Sequence, residues 1–186
     1  LYSSAASDVY KRQDPRHAEI MCRAYNLQQK PVTTPYEKQS GEVLDNAVEL
    51  EKSDEALYRS MTMRGQYLSQ DRPECQFASR ERARNMQRPT TADETALKRM
   101  ARVLDSHPRV VWLFPWQQRV TKITAWCDTD HAGCIKTRKS VSGGALCLGK
   151  ACVHTYSKSQ AVIALSSGEA EYYGLVSAAK ASLGLQ

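Results

Sequence analysis

The sequence contains no long apolar run. None of its hydrophobic stretches approaches the roughly 18–20 residues that a membrane-spanning helix needs, which excludes a helical integral membrane protein and removes the membrane from the expected partners. The first twenty residues also lack the apolar core of about 7–15 residues that marks a secretory leader, so an intracellular protein is expected. Glycine and proline are sparse, at 9 and 7 of 186 residues, and neither internal repeats nor low-complexity tracts occur. The length then suits one large or two small globular domains. The chain opens on Leu1 rather than Met, so a piece of a longer protein is expected.

Six cysteines are present, but no two are spaced as CxxC. Cys127, His131 and Cys134, followed by Cys147, Cys152 and His154, have ligand chemistry for zinc. Several of them fall inside expected strands, where cysteine is usually a small buried apolar residue, so reduced thiols are the expectation.

Hydrophobic residues make up 41% of the chain and charged residues 25%, the balance of a water-soluble fold, with a formal charge of +6. That excess is unevenly placed. Residues 119–186 hold eight basic and four acidic residues, whereas residues 14–118 hold 16 and 15. A basic C-terminal third permits a polyanionic partner without requiring one.

Residues 3–13, SSAASDVYKRQ, resemble the in-frame translation of an adapter used to prepare sequencing libraries. Residues 1–13 are therefore set aside as an artefact and expected to be disordered. Residues 14–50 are polar, and Pro31 with the Thr33-Thr34-Pro35 step favours an extended linker. A helical pattern follows within residues 51–118. Leu57, Met61, Met63, Tyr67 and Leu68 lead to a stop at Asp71-Arg72-Pro73, and a second helix is expected over about 76–86. The third is the clearest: Thr91-Ala92-Asp93-Glu94 has the form of a capping box, and Leu97, Met100, Ala101 and Leu104 recur at helical spacing. Past residue 110 the period becomes that of strands. They are expected at 110–113, 120–127, 140–148 and 151–157, with Gly149-Lys150 as a two-residue hairpin turn. In the second of them Ile123, Ala125 and Cys127 share one face, and Thr124, Trp126 and Asp128 the other. A helix from about Ser167 to Leu183 closes the pattern.

Two acidic features carry candidate chemistry. Strand 120–127 leads into Asp128-Thr129-Asp130, and about forty residues later Glu169 and Glu171 lie in the first turn of a helix. Carboxylates from a strand end and a neighbouring helix suit hard divalent cations, which take oxygen ligands. The plainer alternatives are a polar turn for the two aspartates and, for Glu169, a capping box with Ser166 at the positive end of the helix dipole. Glu171 lies beyond the capping position.

Four strings occur in order: Cys127-Asp128-Thr129-Asp130-His131-Ala132-Gly133, Arg138-Lys139-Ser140-Val141-Ser142-Gly143, Ser157-Lys158-Ser159-Gln160, and Ala164-Leu165-Ser166-Ser167-Gly168-Glu169-Ala170-Glu171-Tyr172. Together they resemble the ribonuclease H region of copia-type retrotransposon Pol polyproteins, whose pattern runs S-D-A-D-W-A-G, R-K-S-T-S-G, S-K-K-Q and A-L-S-S-x-E-A-E-Y. Upstream, Thr34-Pro35, Tyr58-Arg59-Ser60, Tyr67-Leu68, Asp71-Arg72-Pro73 and Pro89-Thr90 fall where that family has TP, YRS, YL, RPD and PT.

The resemblance implies an α/β chain. Residues 14–50 would be an extended linker from the end of a reverse transcriptase, and residues 51–118 a helical thumb and connection. Residues 119–186 would be a truncated ribonuclease H-like domain of three antiparallel strands and the first helix. It implies that Asp128 and Glu171 are catalytic ligands for two Mg²⁺ (or Mn²⁺) ions, with Asp130 at the motif's second acidic position. Arg138, Lys139 and Lys158 would contact phosphates. The implied partners are an RNA–DNA hybrid and the rest of the Pol polyprotein, with no small-molecule substrate. The implied location is a cytoplasmic retroelement particle, whose DNA product passes to the nucleus. Selection of the RNA strand would come from 2′-hydroxyl contacts and affinity largely from phosphate charge.

The sequence departs from the pattern at His131, Val141 and Tyr156, where the family has Trp, Thr and a nearby Trp. It also lacks the family's later acidic residues, so the 186-residue chain itself is expected to be inactive. The alternatives are a nucleic-acid-binding remnant that does not cut, or a structural partner domain.

Overall fold

The computed structural model describes residues 7–27, 32–134 and 137–185. Residues 1–6 of the adapter-like string and Pro31 lie outside the described residues. Two compact units divide the chain, one formed by Arg12–Val111 and the other by Trp112–Gln186 with Leu1–Lys11.

The first unit is helical. It comprises α1 (Arg16–Ala24), α2 (Gly41–Asp45), α3 (Lys52–Leu68), α4 (Pro73–Ala83) and α5 (Thr91–Ser106). Its core draws Tyr58, Met61 and Leu68 from α3, Cys75 and Ala78 from α4, and Leu97, Met100, Ala101 and Leu104 from α5. Residues 14–50 are thus not simply an extended linker. α1 buries Ala18 and Met21 completely in that core, because its apolar residues fall on one helical face that α3 and α5 cover. α3 ends at Leu68, just before the expected stop at Asp71-Arg72-Pro73, and Pro73 opens α4, where its missing N–H is no loss.

The capping box of α5 lies one residue earlier than Thr91. Thr90 is the N-cap, its hydroxyl accepting from the Asp93 N–H at 3.4 Å while the Asp93 carboxylate accepts from the Thr90 N–H at 3.0 Å. Asp93 also accepts from Asn85 Nδ2 at 2.7 Å and pairs with Arg82 at 3.5 Å, both charged side chains being nearly buried.

The second unit is built on β-structure. β1 (Val9–Arg12) pairs with β2 (Val111–Phe114), so residues 9–12 are ordered strand, contrary to the disorder expected for residues 1–13. β3 (Ile123–Asp130), β4 (Val141–Leu148) and β5 (Ala151–Ser159) form an antiparallel meander in that spatial order, and α6 (Ser167–Leu183) packs on β3 and β4. This mixed α/β arrangement is compatible with the partial ribonuclease H-like fold expected. Gly149 opens the β4–β5 turn at φ +59°, a left-handed conformation that glycine adopts without steric cost. Gln117 holds that turn, donating to the Leu148 carbonyl at 2.8 Å and accepting from the Lys150 N–H at 2.9 Å.

Candidate functional site at one end of the sheet

The strand register decides what meets what. Asp128 lies opposite Gly143, Thr129 opposite Ser142, and Asp130 opposite Val141; on the next strand these align with Ser157, Lys158 and Ser159. The two aspartates, the β3–β4 loop with Arg138 and Lys139, Lys158, and the lead-in to α6 therefore share one end of the sheet. Asp128 and Asp130 are strand residues, not the polar turn after a strand, because pairing with β4 carries β3 three residues beyond its expected end.

Alternation along β3 sends Asp128 and Asp130 to one face with the exposed Trp126, and Thr129 to the other. α6 covers the Thr129 face. A side chain at Gly174 would bring a Cβ to 2.5 Å from Thr129 Oγ1 and 3.7 Å from Ser142 Oγ, so glycine permits this approach. Glu171 lies three residues before Gly174, about 60° around the helix from the buried stripe of Ala170, Gly174 and Ala178, and is exposed. β3 is the edge of the three-stranded sheet among the described residues, so its two faces meet at that edge.

Glu169 has a local role. Ser166 Oγ accepts from the Glu169 N–H at 3.1 Å, as in half of a capping box. Its carboxylate reaches one residue further back, accepting from the Leu165 N–H at 2.7 Å, and it also accepts from the Tyr173 hydroxyl at 3.1 Å. That last bond raises the Tyr173 pKa above the ordinary tyrosine value, the Glu169 charge adding to the effect.

Two of the basic candidates are neighbours in the β3–β4 loop and the third stands on β5. Arg138 is exposed in the β3–β4 loop at φ +56°, its N–H donating to the Cys134 carbonyl at 2.7 Å. Lys139, half-buried, accepts from the Cys134 N–H at 3.1 Å through its carbonyl. Lys158 is exposed on β5, its Nζ 5.7 Å from the centre of the Tyr156 ring.

Gln160 carries no role in the sequence pattern, yet it joins the sheet to the helix. Its Nε2 donates to Ser142 Oγ at 3.0 Å and to the Ala170 carbonyl at 2.8 Å. The available signal is its place in the Ser157-Lys158-Ser159-Gln160 string, directly after a strand.

The carboxylates have the right chemistry for Mg²⁺, which takes oxygen ligands in octahedral geometry. Their arrangement does not complete a site. Among the described residues, no group of three or more His, Cys, Asp or Glu side chains is placed to hold a metal ion. That includes the cysteine and histidine set considered for zinc. Asp128, Asp130 and Glu171 thus share an end of the sheet without forming, among the described residues, a group of three placed to hold a metal ion.

The chain is 30% identical over 169 residues to the uncharacterized mitochondrial protein AtMg00810 of Arabidopsis thaliana, covering 91% of this chain and 69% of that protein. It is also 30% identical over 154 residues to the retrovirus-related Pol polyproteins from transposons RE1 and RE2 of the same plant, covering 83% of this chain. The chain belongs to the same family as that mitochondrial protein, and the two Pol polyproteins are further relatives. It spans about two thirds of the mitochondrial protein but only 10% of each polyprotein. No protein-family model and no solved structure matches it. Matches of 169 and 154 residues cannot fit inside either unit, so the similarity to these relatives runs through both the helical unit and the sheet unit. Among the described residues, no helix of the chain is long and apolar enough to cross a membrane.

Proposed function

We propose that this chain is the junction between the end of a reverse transcriptase and the opening part of a ribonuclease H domain in a copia-type Pol polyprotein. In the whole polyprotein, the sheet unit takes part in hydrolysing the RNA strand of an RNA–DNA hybrid. The carrying observation is the register that sets Asp128, Asp130, Lys158 and the start of α6 at one end of a three-stranded sheet, in a chain whose relatives include Pol polyproteins.

In this reading Asp128 and Glu171 are metal ligands and Asp130 lies beside them. Further carboxylates from the polyprotein complete the set. Mg²⁺ bound there would activate water and neutralise charge on the phosphate. The contribution of this chain's own residues is positional. β3 holds Asp128 at a fixed depth in the sheet, α6 holds Glu171 along its flank, and Arg138, Lys139 and Lys158 attract the phosphate backbone.

The test is Mg²⁺-dependent cleavage of a labelled RNA–DNA hybrid by a Pol-length protein containing these residues. Asp128→Asn and Glu171→Gln are each expected to lower the rate at least about a hundredfold, as loss of a metal ligand does. Cleavage at the unmutated rate by either variant would overturn the reading. The 186-residue chain alone is expected to bind the hybrid without cutting it. The incomplete carboxylate cluster also favours a second reading, a remnant that holds nucleic acid and does not cleave. Under that reading the Pol-length protein binds hybrid with a steep salt dependence, and Asp128→Asn changes nothing.

A further inference from the structure

We infer that Gln160 is the positioning residue for Glu171. The inference rests on the reading that Glu171 belongs to the site at the end of the sheet, and supplies the physical reason for that glutamate to stand where it does.

Gln160 follows β5 directly, and its backbone N–H continues the pairing by donating to the Ser140 carbonyl at 2.9 Å. The residue is 8% exposed. Both bonds made by the carboxamide are donated: one to Ser142 Oγ on β4, the other to the Ala170 carbonyl in the first turn of α6. The carboxamide oxygen is buried without a partner. An orphaned buried acceptor is a cost that a leucine of similar size would not carry. The two donated bonds offset it, and what they accomplish is to tie the helix start to the middle strand.

The helix has a second anchor one turn on. Gly174 lies against Thr129 and Ser142, the same serine that accepts from Gln160. Ala170 and Gly174 therefore meet the sheet four residues apart, and Glu171 lies between them. Two contacts one turn apart set both the rotation and the height of a helix. Three further polar contacts at the start of α6, Ser166 with Glu169, Glu169 with Leu165 and Tyr173 with Glu169, stay within the helix and its lead-in. They cap α6 but do not attach it to β4. If Gln160 lets go, α6 keeps its form and loses its register on the sheet, and Glu171 moves with it.

The test compares the 186-residue chain with Gln160→Leu, Ser142→Ala and Gln160→Glu, by residue-resolved amide exchange and by nuclear Overhauser contacts between the Gly174 α-protons and the Thr129 methyl. Gln160→Leu is expected to lower protection of the 170–174 amides about tenfold, with β4 and β5 protection within about twofold of the unmutated chain. The Gly174–Thr129 contact should weaken in parallel. Ser142→Ala, which removes one of the two acceptors, should give a smaller loss.

Gln160→Glu adds a pH readout. The two partners of the side chain at this position, a serine hydroxyl and a backbone carbonyl, do not titrate over this range. In that variant a protonated carboxyl can donate to the Ala170 carbonyl and an ionised one cannot, so α6 protection should return on acidification. Protection of α6 in Gln160→Leu equal to that of the unmutated chain would overturn the inference. So would an equal loss across α6 and all three strands, which would mean general destabilisation. Neither measurement depends on metal or cleavage, so a failure of the nuclease reading would appear separately.

Discussion

The two units differ in how they are filled. The helical unit has one contiguous core, with Leu97, Met100, Ala101 and Leu104 of α5 fully buried and Tyr58, Met21 and Cys75 against them. The sheet unit buries mostly small residues, among them Ala151, Ala164, Ala170 and Ala178, and leaves Trp126 at 68% and Leu165 at 91% exposed. Burial of large side chains is the main source of folding free energy. The helical unit should therefore carry most of the stability, and the sheet unit, where the candidate site lies, should open first. A candidate site on the thinner-cored unit fits the general rule that sites draw on the less stable parts of a fold.

All three tryptophans, Trp112, Trp116 and Trp126, belong to the sheet unit, whereas five of the six helices described belong to the other. Tryptophan fluorescence and helical circular dichroism thus follow the two units separately, and two offset transitions in denaturant are expected. Coincident transitions would break the comparison.

The largest mutational effect is expected at Asp93. Asp93→Ala removes the return half of the α5 capping box and leaves the nearly buried Arg82 without its carboxylate, a loss of about 3–5 kcal/mol for a buried pair. It should appear in the dichroism transition and spare the fluorescence one. Gly174→Ala should do the reverse. Its methyl would meet Thr129 Oγ1 at 2.5 Å, and overpacking of this kind costs about 1–3 kcal/mol.

Alkaline pH sharpens the contrast further. Burial pushes the Cys22 thiol up to about 11, Cys75 to about 12 and the Tyr58 hydroxyl to about 12. Each group keeps its proton more tightly in the folded state than its ordinary value of 9.0 or 10.0 allows in the unfolded chain. Their stabilising contribution is complete below pH 9 and is lost as pH rises from there to about 12. The dichroism midpoint should fall over that window, as a denaturation series from about pH 8 to about pH 12 would show. The smallest effect is expected at the candidate ligands. Asp128→Asn and Glu171→Gln change exposed side chains, so each should shift the fluorescence transition by no more than about 0.5 kcal/mol. A large loss of stability in either would assign these residues to the fold instead of a site.

Helices α3 and α5 were legible because their apolar residues recur at helical spacing, and the β4–β5 hairpin because Gly149 marks its turn; α4 was expected three residues late, over about 76–86 instead of Pro73–Ala83. α1 was not. Nine residues form a marginal helix in isolation, and its two buried side chains, Ala18 and Met21, acquire their stabilising role only once α3 and α5 are beside them. The end of β3 was displaced for a related reason. Strand limits depend on what lies opposite, and Gly143 and Val141 extend the pairing through Asp128 and Asp130.

The sequence by itself determined the order of the main helices and strands past residue 50 and the acidic residues on offer, since these follow from local periodicity and residue chemistry. Tertiary structure alone decided that Gln160 clamps α6 to β4, that Gly174 lets the helix approach Thr129, and that Asp128, Asp130 and Glu171 share one end of a sheet without closing into a ligand cluster. Those outcomes depend on register and on the packing of segments distant in the chain. No local pattern encodes them, because the groups that meet are brought together by the fold and not by their spacing.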